Sequence, residues 1–504
     1  MAADEYREIE RKYDVDWSTA LPVAGDLPGV ASIGDPVVHE LTAVYVDTDD
    51  LALAAARVTL RRRTGGHDDG WHLKLPGTGD ERLEVRRPPG RSATRVPVQL
   101  ARLVGVHTRG RALAPVMTLR TRREVHLLHG PDGSVLAEIS DDRVTAQAAD
   151  GAPEQTWREW EAEIVDGEPG LLDVIEAALL DTGAQPAGGP SKLARALGDR
   201  VRRPGPGPLP AVPTAGSLLV AYLAEQVDEL KQRDPDVRRD APDAVHRARV
   251  ALRRIRSALA TYRPVLDRTV TDPIRDEARW LGQQLGPARD VEVLRDHLLG
   301  RIDDEPPELV MGRVRRTVDV RYRGEYRDAH RRAVEALDDE RYFRLLDKLD
   351  DLVANPPLTD ADRPAHKVLP GLLRHEWRRL RRAVRAAEQA PAADQDALLH
   401  EARKATKRVR YAAESAEPVL GGRADRLRSR TKKLQQILGR HHDAVVFQPA
   451  LRELAVQVQQ SGGNAFSFGR LHALEQTRAD EQRRRFGDAW AKQARRYPKP
   501  WMKR

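Results

Sequence analysis

The chain has 504 residues, 40% of them apolar and 32% charged, with 85 Lys and Arg against 77 Asp and Glu, 34 prolines and no cysteine. That length argues for two or three domains, and the lack of cysteine excludes a disulfide framework, a thiolate nucleophile and any Cys-ligated metal or cluster. Residues 1–200 carry 24 basic against 33 acidic side chains and residues 201–504 carry 61 against 44, so the overall +8 conceals an acidic half and a basic half. The first can hold cations and the second attracts polyanions. Met1-Ala2-Ala3-Asp4-Glu5 lacks the basic and apolar regions of a secretory signal, and no apolar run approaches the roughly 18 residues of a membrane span. The expected location is the cytoplasm, with no membrane partner.

From the N-terminus the pattern is mostly strand. Segments alternating at period two are predicted at 6–15, 38–47, 57–63, 71–75, 82–86, 117–128, 135–141 and 158–165, separated by turn signals such as Thr64-Gly65-Gly66 and Pro131-Asp132-Gly133. Two short helices are expected at 171–180 and 191–197. Many strands at close spacing suggest an antiparallel barrel or sandwich. Residues 201–216 pack five prolines into a stretch that can be neither helix nor central strand, which places a linker there, between domains at 1–200 and 217–497. A second break at 355–364 divides the latter into halves of about 217–354 and 365–497.

Beyond the linker the chain reads as helix and repeats itself. His246-Arg247-Ala248-Arg249 through Arg253 to Arg256 matches His400-Glu401-Ala402-Arg403 through Lys407 to Arg410 at an offset of 154. Leu285-Gly286-Pro287-Ala288-Arg289-Asp290 matches Leu438-Gly439-Arg440-His441-His442-Asp443 at 153. Two ordered matches at nearly one offset indicate a duplicated helical unit.

Residues two apart share a face of a strand. Glu8, Glu10 and Lys12 therefore align, as do Glu159, Glu161 and Glu163, Arg61 and Arg63, Arg120 and Arg122, and Glu138 and Asp142, with Lys74 adding a further cation. Read singly, each set is an ordinary solvated face. Together they sort into acidic rows at both ends of the domain and basic rows between, which a barrel with these faces inward would gather into a polar tunnel. Carboxylates without His or Cys suit a hard cation such as Mg²⁺ or Mn²⁺, and rows of Arg and Lys suit phosphate oxygens.

Glu8-Ile9-Glu10-Arg11-Lys12 resembles the ExExK signature of the CYTH family, the triphosphate tunnel metalloenzymes. The later basic strands, Trp160-Glu161-Ala162-Glu163-Ile164 and Ser191-Lys192-Leu193-Ala194-Arg195 resemble that family in order and spacing. The resemblance implies an eight-stranded antiparallel tunnel that hydrolyses triphosphates with a divalent metal. It implies that Glu8, Glu10, Glu161 and Glu163, joined by Asp142, are metal carboxylates, and that Arg61, Arg63, Lys74, Arg120, Arg122 and Lys192 bind phosphate. Glu8, Glu10 and Lys12 would form the catalytic set. Glu84-Val85-Arg86 departs from the pattern where a second acidic residue is expected. Parity with Glu138 favours Asp142 over Asp141 as the inward residue.

In the helical half, His246, Arg249, Arg253 and Arg256 span an arc of roughly 80° at 100° per residue, beside an apolar arc of Val245, Leu252, Ile255 and Leu259. His400, Arg403, Lys407 and Arg410 repeat the spacing. An exposed face normally mixes signs, because like charges at i,i+4 destabilise a helix, so two all-basic stripes suggest a bound polyanion. No aromatic residue interleaves with the arginines, so base stacking, and with it nucleic acid, is not supported. The stripes resemble the CHAD family, the conserved-histidine α-helical domain, and so do the turns read at Ala288-Arg289-Asp290-Val291 and His442-Asp443-Ala444-Val445. That resemblance implies two pseudo-symmetric four-helix bundles that bind inorganic polyphosphate.

The combined expectation is an α+β multidomain protein whose tunnel hydrolyses inorganic triphosphate or a related short triphosphate. Its helical domain would bind polyphosphate, which could place the enzyme at polyphosphate granules. The rival readings are a non-catalytic polyphosphate scaffold and a tunnel acting on nucleoside or thiamine triphosphate, nucleotide cyclisation included.

Overall fold

The computed structural model describes residues 4–497 and 500–502, apart from 67, 78, 91–94, 190, 202–204, 206 and 361–362. Part of the predicted linker (202–204 and 206) and part of the second break (361–362) therefore lie outside the described residues. The chain divides into two compact units, Met1–Pro204 and Gly205–Arg504.

Eight long strands build the first unit: β1 (Asp4–Asp14), β2 (Val37–Asp47), β3 (Thr59–Thr64), β4 (Gly70–Pro76), β5 (Glu81–Arg87), β6 (Ala114–His129), β7 (Val135–Ala148) and β8 (Gln155–Ile164). They run β1-β5-β4-β3-β2-β6-β7-β8 with every neighbouring pair antiparallel, and β8 pairs back onto β1. This is the closed eight-stranded barrel that the sequence implied. Strand β7 continues past its predicted end at Asp141 to Ala148, because Val144, Ala146 and Ala148 keep alternating inward.

The barrel carries most of its apolar surface on the outside. Tyr13, Ile139, Trp160 and Ala162 face outward and are covered by Leu172, Ile175 and Leu179 of α1 (Leu171–Asp181). A second outer cluster sets Leu60, Trp71, Leu73 and Val85 against Leu100 and Leu103 of the short helix Val98–Leu103. Inside, only one end is apolar: Tyr45, Leu119, Val144, Ala146 and Trp157 pack on Leu193 and Leu197 of α2 (Lys192–Leu197). Helix α2 is started by Ser191, whose side chain accepts a hydrogen bond from the Ala194 N–H at 3.1 Å, an ordinary N-cap. The remainder of the interior is left to charged side chains.

The second unit is helical: α3 (Ala215–Arg238), α4 (Ala244–Thr261), α5 (Arg268–Gln284), α6 (Gly286–Asp303), α7 (Val314–Leu337), α8 (Glu340–Ala354), α9 (Ala365–Glu388), α10 (Ala392–Ser415), α11 (Gly422–Gln460) and α12 (Phe466–Ala494), with shorter turns between. The duplication is visible in pairs. The Ala215 N–H donates to the Arg363 carbonyl at 3.0 Å and the Ala365 N–H to the Pro213 carbonyl at 2.9 Å, tying the starts of the two copies together. The Arg254 guanidinium reaches Gln226 at 3.4 Å, as Arg408 reaches Glu376 at 2.6 Å. Helices α5 and α6 together answer to the single helix α11. Pro287 opens α6 and cannot donate its nitrogen to the preceding turn, whereas Arg440 occupies that place within α11. Each copy is thus four helical limbs, with α8 added to the first.

The outer cover of the barrel makes a direct prediction. Trp160 is fully buried between β8 and α1, so Trp160→Ala should lower the unfolding free energy by about 3–5 kcal/mol, read from urea denaturation. A loss well under 1 kcal/mol would mean that the cover contributes little.

Candidate functional site

The charged interior of the barrel encloses a cavity of about 230 Å³. Alternation on β1 turns Glu8, Glu10 and Lys12 into it, while Ile9 and Tyr13 pack outward. Arg61 and Arg63 enter from β3, Lys74 from β4, Arg82, Glu84 and Arg86 from β5, Arg123 from β6, Glu138 from β7, Glu161 and Glu163 from β8, and Lys192 from α2.

The strand register brings like charges together. Glu10 on β1 and Glu138 on β7 both lie directly opposite Glu163 on β8, and like charges in cross-strand register repel. Burial, reinforced by Glu8, raises the Glu163 carboxyl to about 8. Glu10 is held at about 2, since Lys12 and Lys74 outweigh its burial. Lys12 Nζ lies 2.9 Å from Glu10 and also pairs with Glu161, and Lys74 Nζ lies 2.5 Å from Glu8.

Asp142, Glu159 and Glu161 offer carboxylate oxygens that all lie within 4.8 Å of one another and are buried, a set able to hold a metal ion. Here the Lys192 ammonium sits among them, 2.7 Å from Asp142, 2.8 Å from Glu159 and 2.7 Å from Glu161. Asp142 is accordingly the inward residue of its pair. Asp141 instead forms a two-pronged ion pair with Arg158, at 2.9 and 2.6 Å. Arg158 in turn donates to the carbonyls of Asp16 and Thr19.

Opposite the carboxylates is a cationic group. The Arg61 guanidinium donates to the Tyr45 hydroxyl at 3.0 Å. Arg63, buried beside Arg61 and Arg123 and ion-paired with Asp68, is depressed to about 9.

In the helical unit α4 and α10 pack against each other and bring the two basic stripes together. Arg249 donates to the Gly286 carbonyl at 3.0 Å and to Asp290 at 2.9 Å, and Arg410 donates to Gln435 at 2.9 Å. Lys407 is depressed to about 6 by burial and by Arg253, Arg403 and Arg249. His246 is lowered by burial and Arg289, and Arg256 by burial and by Arg279 and Arg275. The rings of His400 and His442 meet with Nδ1 atoms 3.1 Å apart. Burial and Arg403 take His442 to about 3. The segments read as turns, 288–291 and 442–445, lie within α6 and α11.

A CYTH domain model matches residues 6–185 and a CHAD domain model residues 221–452. Over 94% of its length the chain is 40% identical to the proteins called Uncharacterized protein Rv2226 and Uncharacterized protein MT2285 of Mycobacterium tuberculosis, and covers 94% of each. The chain is a CYTH–CHAD protein. Among solved structures it resembles the CHAD domain of the plant Ricinus communis, at 27% identity and a TM-score of 0.45 over 56% of this chain and 94% of that one. It also resembles HpAC1 from Hippeastrum, a putative adenylyl cyclase described as having a dominant triphosphatase activity. That likeness is 18% identity and a TM-score of 0.26, over 38% of this chain and 94% of that one.

Most of the CYTH residues read from the sequence do converge on the cavity, but two do not. Arg120 is exposed on the outside of the barrel, and Arg122 pairs there with Glu124 and lies near Glu40. Their neighbour Arg123 enters instead, in register with Asp142 and 2.6 Å from it. Met117 and Leu119 fill the apolar end of the interior, which fixes the odd-numbered residues of β6 inward. Glu84 points inward, hydrogen-bonded to His72 at 2.9 Å and to Arg86. The sequence reading passed over Tyr45, Asp68, Arg82 and Arg86. The parity of Arg82 and Arg86 with Glu84 was the available signal for two of them.

The Glu163 environment has a measurable consequence. In metal-free protein its carboxyl keeps a proton up to about pH 8, against an ordinary value of 4.5. The folded state then binds the extra proton, so stability falls as pH rises through that window. The urea midpoint should drop between about pH 5 and pH 8 and should lose that component of its slope in Glu163→Gln. An identical slope in both proteins would refute the assignment.

Proposed function

We propose that the barrel hydrolyses inorganic triphosphate, or another short triphosphate, and that the helical unit binds inorganic polyphosphate. The observation that carries the first part is one cavity that gathers Glu8, Glu10, Glu161 and Glu163 with Arg61, Arg63, Lys12 and Lys74. CYTH tunnel proteins are commonly triphosphatases or cyclases and are metal-dependent.

The donor set fits Mg²⁺ or Mn²⁺, since it is all carboxylate oxygen. Asp142, Glu159 and Glu161, whose oxygens converge within 4.8 Å, offer a place where Lys192 yields it. Glu8, Glu10 and Glu163, with Glu138 in register, line the cavity and would add carboxylate charge to it. A bound divalent cation would neutralise triphosphate charge and orient a water for in-line attack on a terminal phosphorus. Arg61, Arg63 and Arg123 would clamp phosphate oxygens through paired N–H groups. Lys12 and Lys74, each held between carboxylates, would lie where the two charge groups meet. The end of the interior closed by α2 is apolar, so the phosphates would lie in the charged remainder.

Phosphate release from inorganic triphosphate should proceed with Mg²⁺ or Mn²⁺ and stop with EDTA. Glu10→Gln and Arg123→Ala should each lower kcat by about a hundredfold or more. Arg120→Ala, on the outer face, should leave it unchanged. Equal losses in Arg120→Ala and Arg123→Ala would contradict the inward assignment, and no release with either metal would favour a cavity that only binds.

For the helical unit the carrying observation is the meeting of two like-charged stripes at the α4–α10 contact. Lys407, at about 6, is neutral in the free protein at pH 7.5, and an arriving polyanion would restore its proton. Polyphosphate binding should therefore take up protons and weaken as pH rises above about 6. Calorimetry in buffers of different ionisation enthalpy measures the uptake, and Lys407→Arg should reduce it, leaving the share of the neighbouring histidines. Uptake unchanged in Lys407→Arg would place the proton elsewhere.

A further inference from the structure

The duplication supplies an internal control for the surface of the helical unit. Helices α3 and α9 are both 24 residues long and begin at corresponding positions, Ala215 and Ala365. Gln226 and Glu376, 150 residues apart, are both buried and take the equivalent guanidiniums of Arg254 and Arg408. Position by position, then, the outer face of α3 carries Glu225, Asp228, Glu229, Lys231 and Gln232. The same places on α9 carry His375, Arg378, Arg379, Arg381 and Arg382. With histidine neutral, the five positions change from −2 to +4.

The fold does not require this change, since α3 fills the same role with mixed charge. In α3 two of the four charges are paired within the chain: Glu229 with Arg233 at 2.8 Å and Lys231 with Asp350 at 2.5 Å. On α9 all four arginines are exposed, and among the described residues Arg378, Arg381 and Arg382 have no ion pair or hydrogen bond. They repel one another at i,i+3 and i,i+4 spacing. Helix α9 meets α10 through Arg408, which lies roughly 130° around α10 from the Arg403–Lys407–Arg410 stripe. The two basic surfaces are therefore different faces.

We propose that the outer face of α9 is a second polyphosphate-binding surface, which engages chains too long for the α4–α10 stripe alone; this rests on the polyphosphate reading above. Guanidinium forks match phosphate oxygens in pairs. The face offers no Phe, Tyr or Trp ring for a base to stack on, since Trp377 is buried against Trp490 at 5.4 Å between ring centres. The apolar side of α9 is packed into the bundle, so it has nothing to insert into a bilayer. A phosphate polymer without bases is the partner that fits.

The test measures binding of full-chain protein to short-chain and long-chain polyphosphate, and to duplex DNA, at matched salt. One variant gives α9 the residues of α3: Arg378→Asp, Arg379→Glu, Arg381→Lys and Arg382→Gln. A milder one carries Arg378→Gln and Arg382→Gln, with circular dichroism confirming the fold of both. Both should weaken long-chain binding, the first by about tenfold, and flatten its salt dependence, while short-chain binding stays at the wild-type value. Arg403→Ala with Lys407→Ala should weaken both lengths. Unchanged long-chain binding in both α9 variants overturns the proposal, as does an equal loss for short chains, which would make the face part of the stripe. A loss confined to duplex DNA overturns it in favour of nucleic acid. Wild-type protein that binds neither length overturns the polyphosphate reading itself.

Discussion

The barrel depends on one constraint: its closed sheet has charge inside. A small barrel usually fills its interior with apolar side chains, and alternation then leaves the outer face polar. Here the parity is reversed. Once Glu8, Glu10 and Lys12 point inward, Ile9 and Tyr13 must point outward, and an outer apolar face needs cover. Helix α1 and the helix Val98–Leu103 supply it, so two apolar clusters lie outside the sheet and one fills the end of the interior under α2. The interior is then held by ion pairs among buried groups, whose desolvation is costly and whose balance is correspondingly sensitive.

That balance is local. On one side Lys192 satisfies Asp142, Glu159 and Glu161 together, with Arg123 assisting. On the other, Glu163 faces Glu10 and Glu138 in register and retains its proton to about 8, while Arg63 is pushed down to about 9. Acidic and basic groups crowded into one cavity are what the proposed ligand, itself divided into cation and anion, would relieve. A metal–phosphate complex has that division; an uncharged substrate would relieve neither side.

Much of this was legible in the sequence because strand parity is a two-valued question. Each strand with a pure pattern, such as Glu8-Ile9-Glu10 or Glu161-Ala162-Glu163, answered it correctly. The error came at Arg122-Arg123, where adjacent arginines present one to each face and charge alone does not choose. The apolar pair Met117 and Leu119 held the answer, but only if the interior was known to have an apolar end. Glu84 was obscure for a related reason: its partner His72 comes from a different strand, and sequence spacing does not report cross-strand contacts. The early predicted end of β7 has the same origin. Ser140-Asp141-Asp142 resembles a turn until Arg158 and Arg123, on the neighbouring strands, compensate the two carboxylates on opposite faces.

The helical unit answers a different question with the same physics. Duplication brings matching stripes together at the α4–α10 contact, so Lys407 lies among Arg249, Arg253 and Arg403, while Arg249 also keeps Asp290. Lys407 stands where the first copy has Arg253, and burial among arginines lowers it to about 6, so that beside the two stripe histidines it too can shed its charge near neutral pH. A guanidinium in that place would stay charged and keep its repulsion with Arg253 and Arg403 in the free protein. A lysine releases that strain as a proton and recovers the charge when an anion arrives. The substitution thus exchanges a second bidentate donor for a lower cost of waiting empty, and it does so at one position while the surrounding arginines keep the field that attracts the ligand.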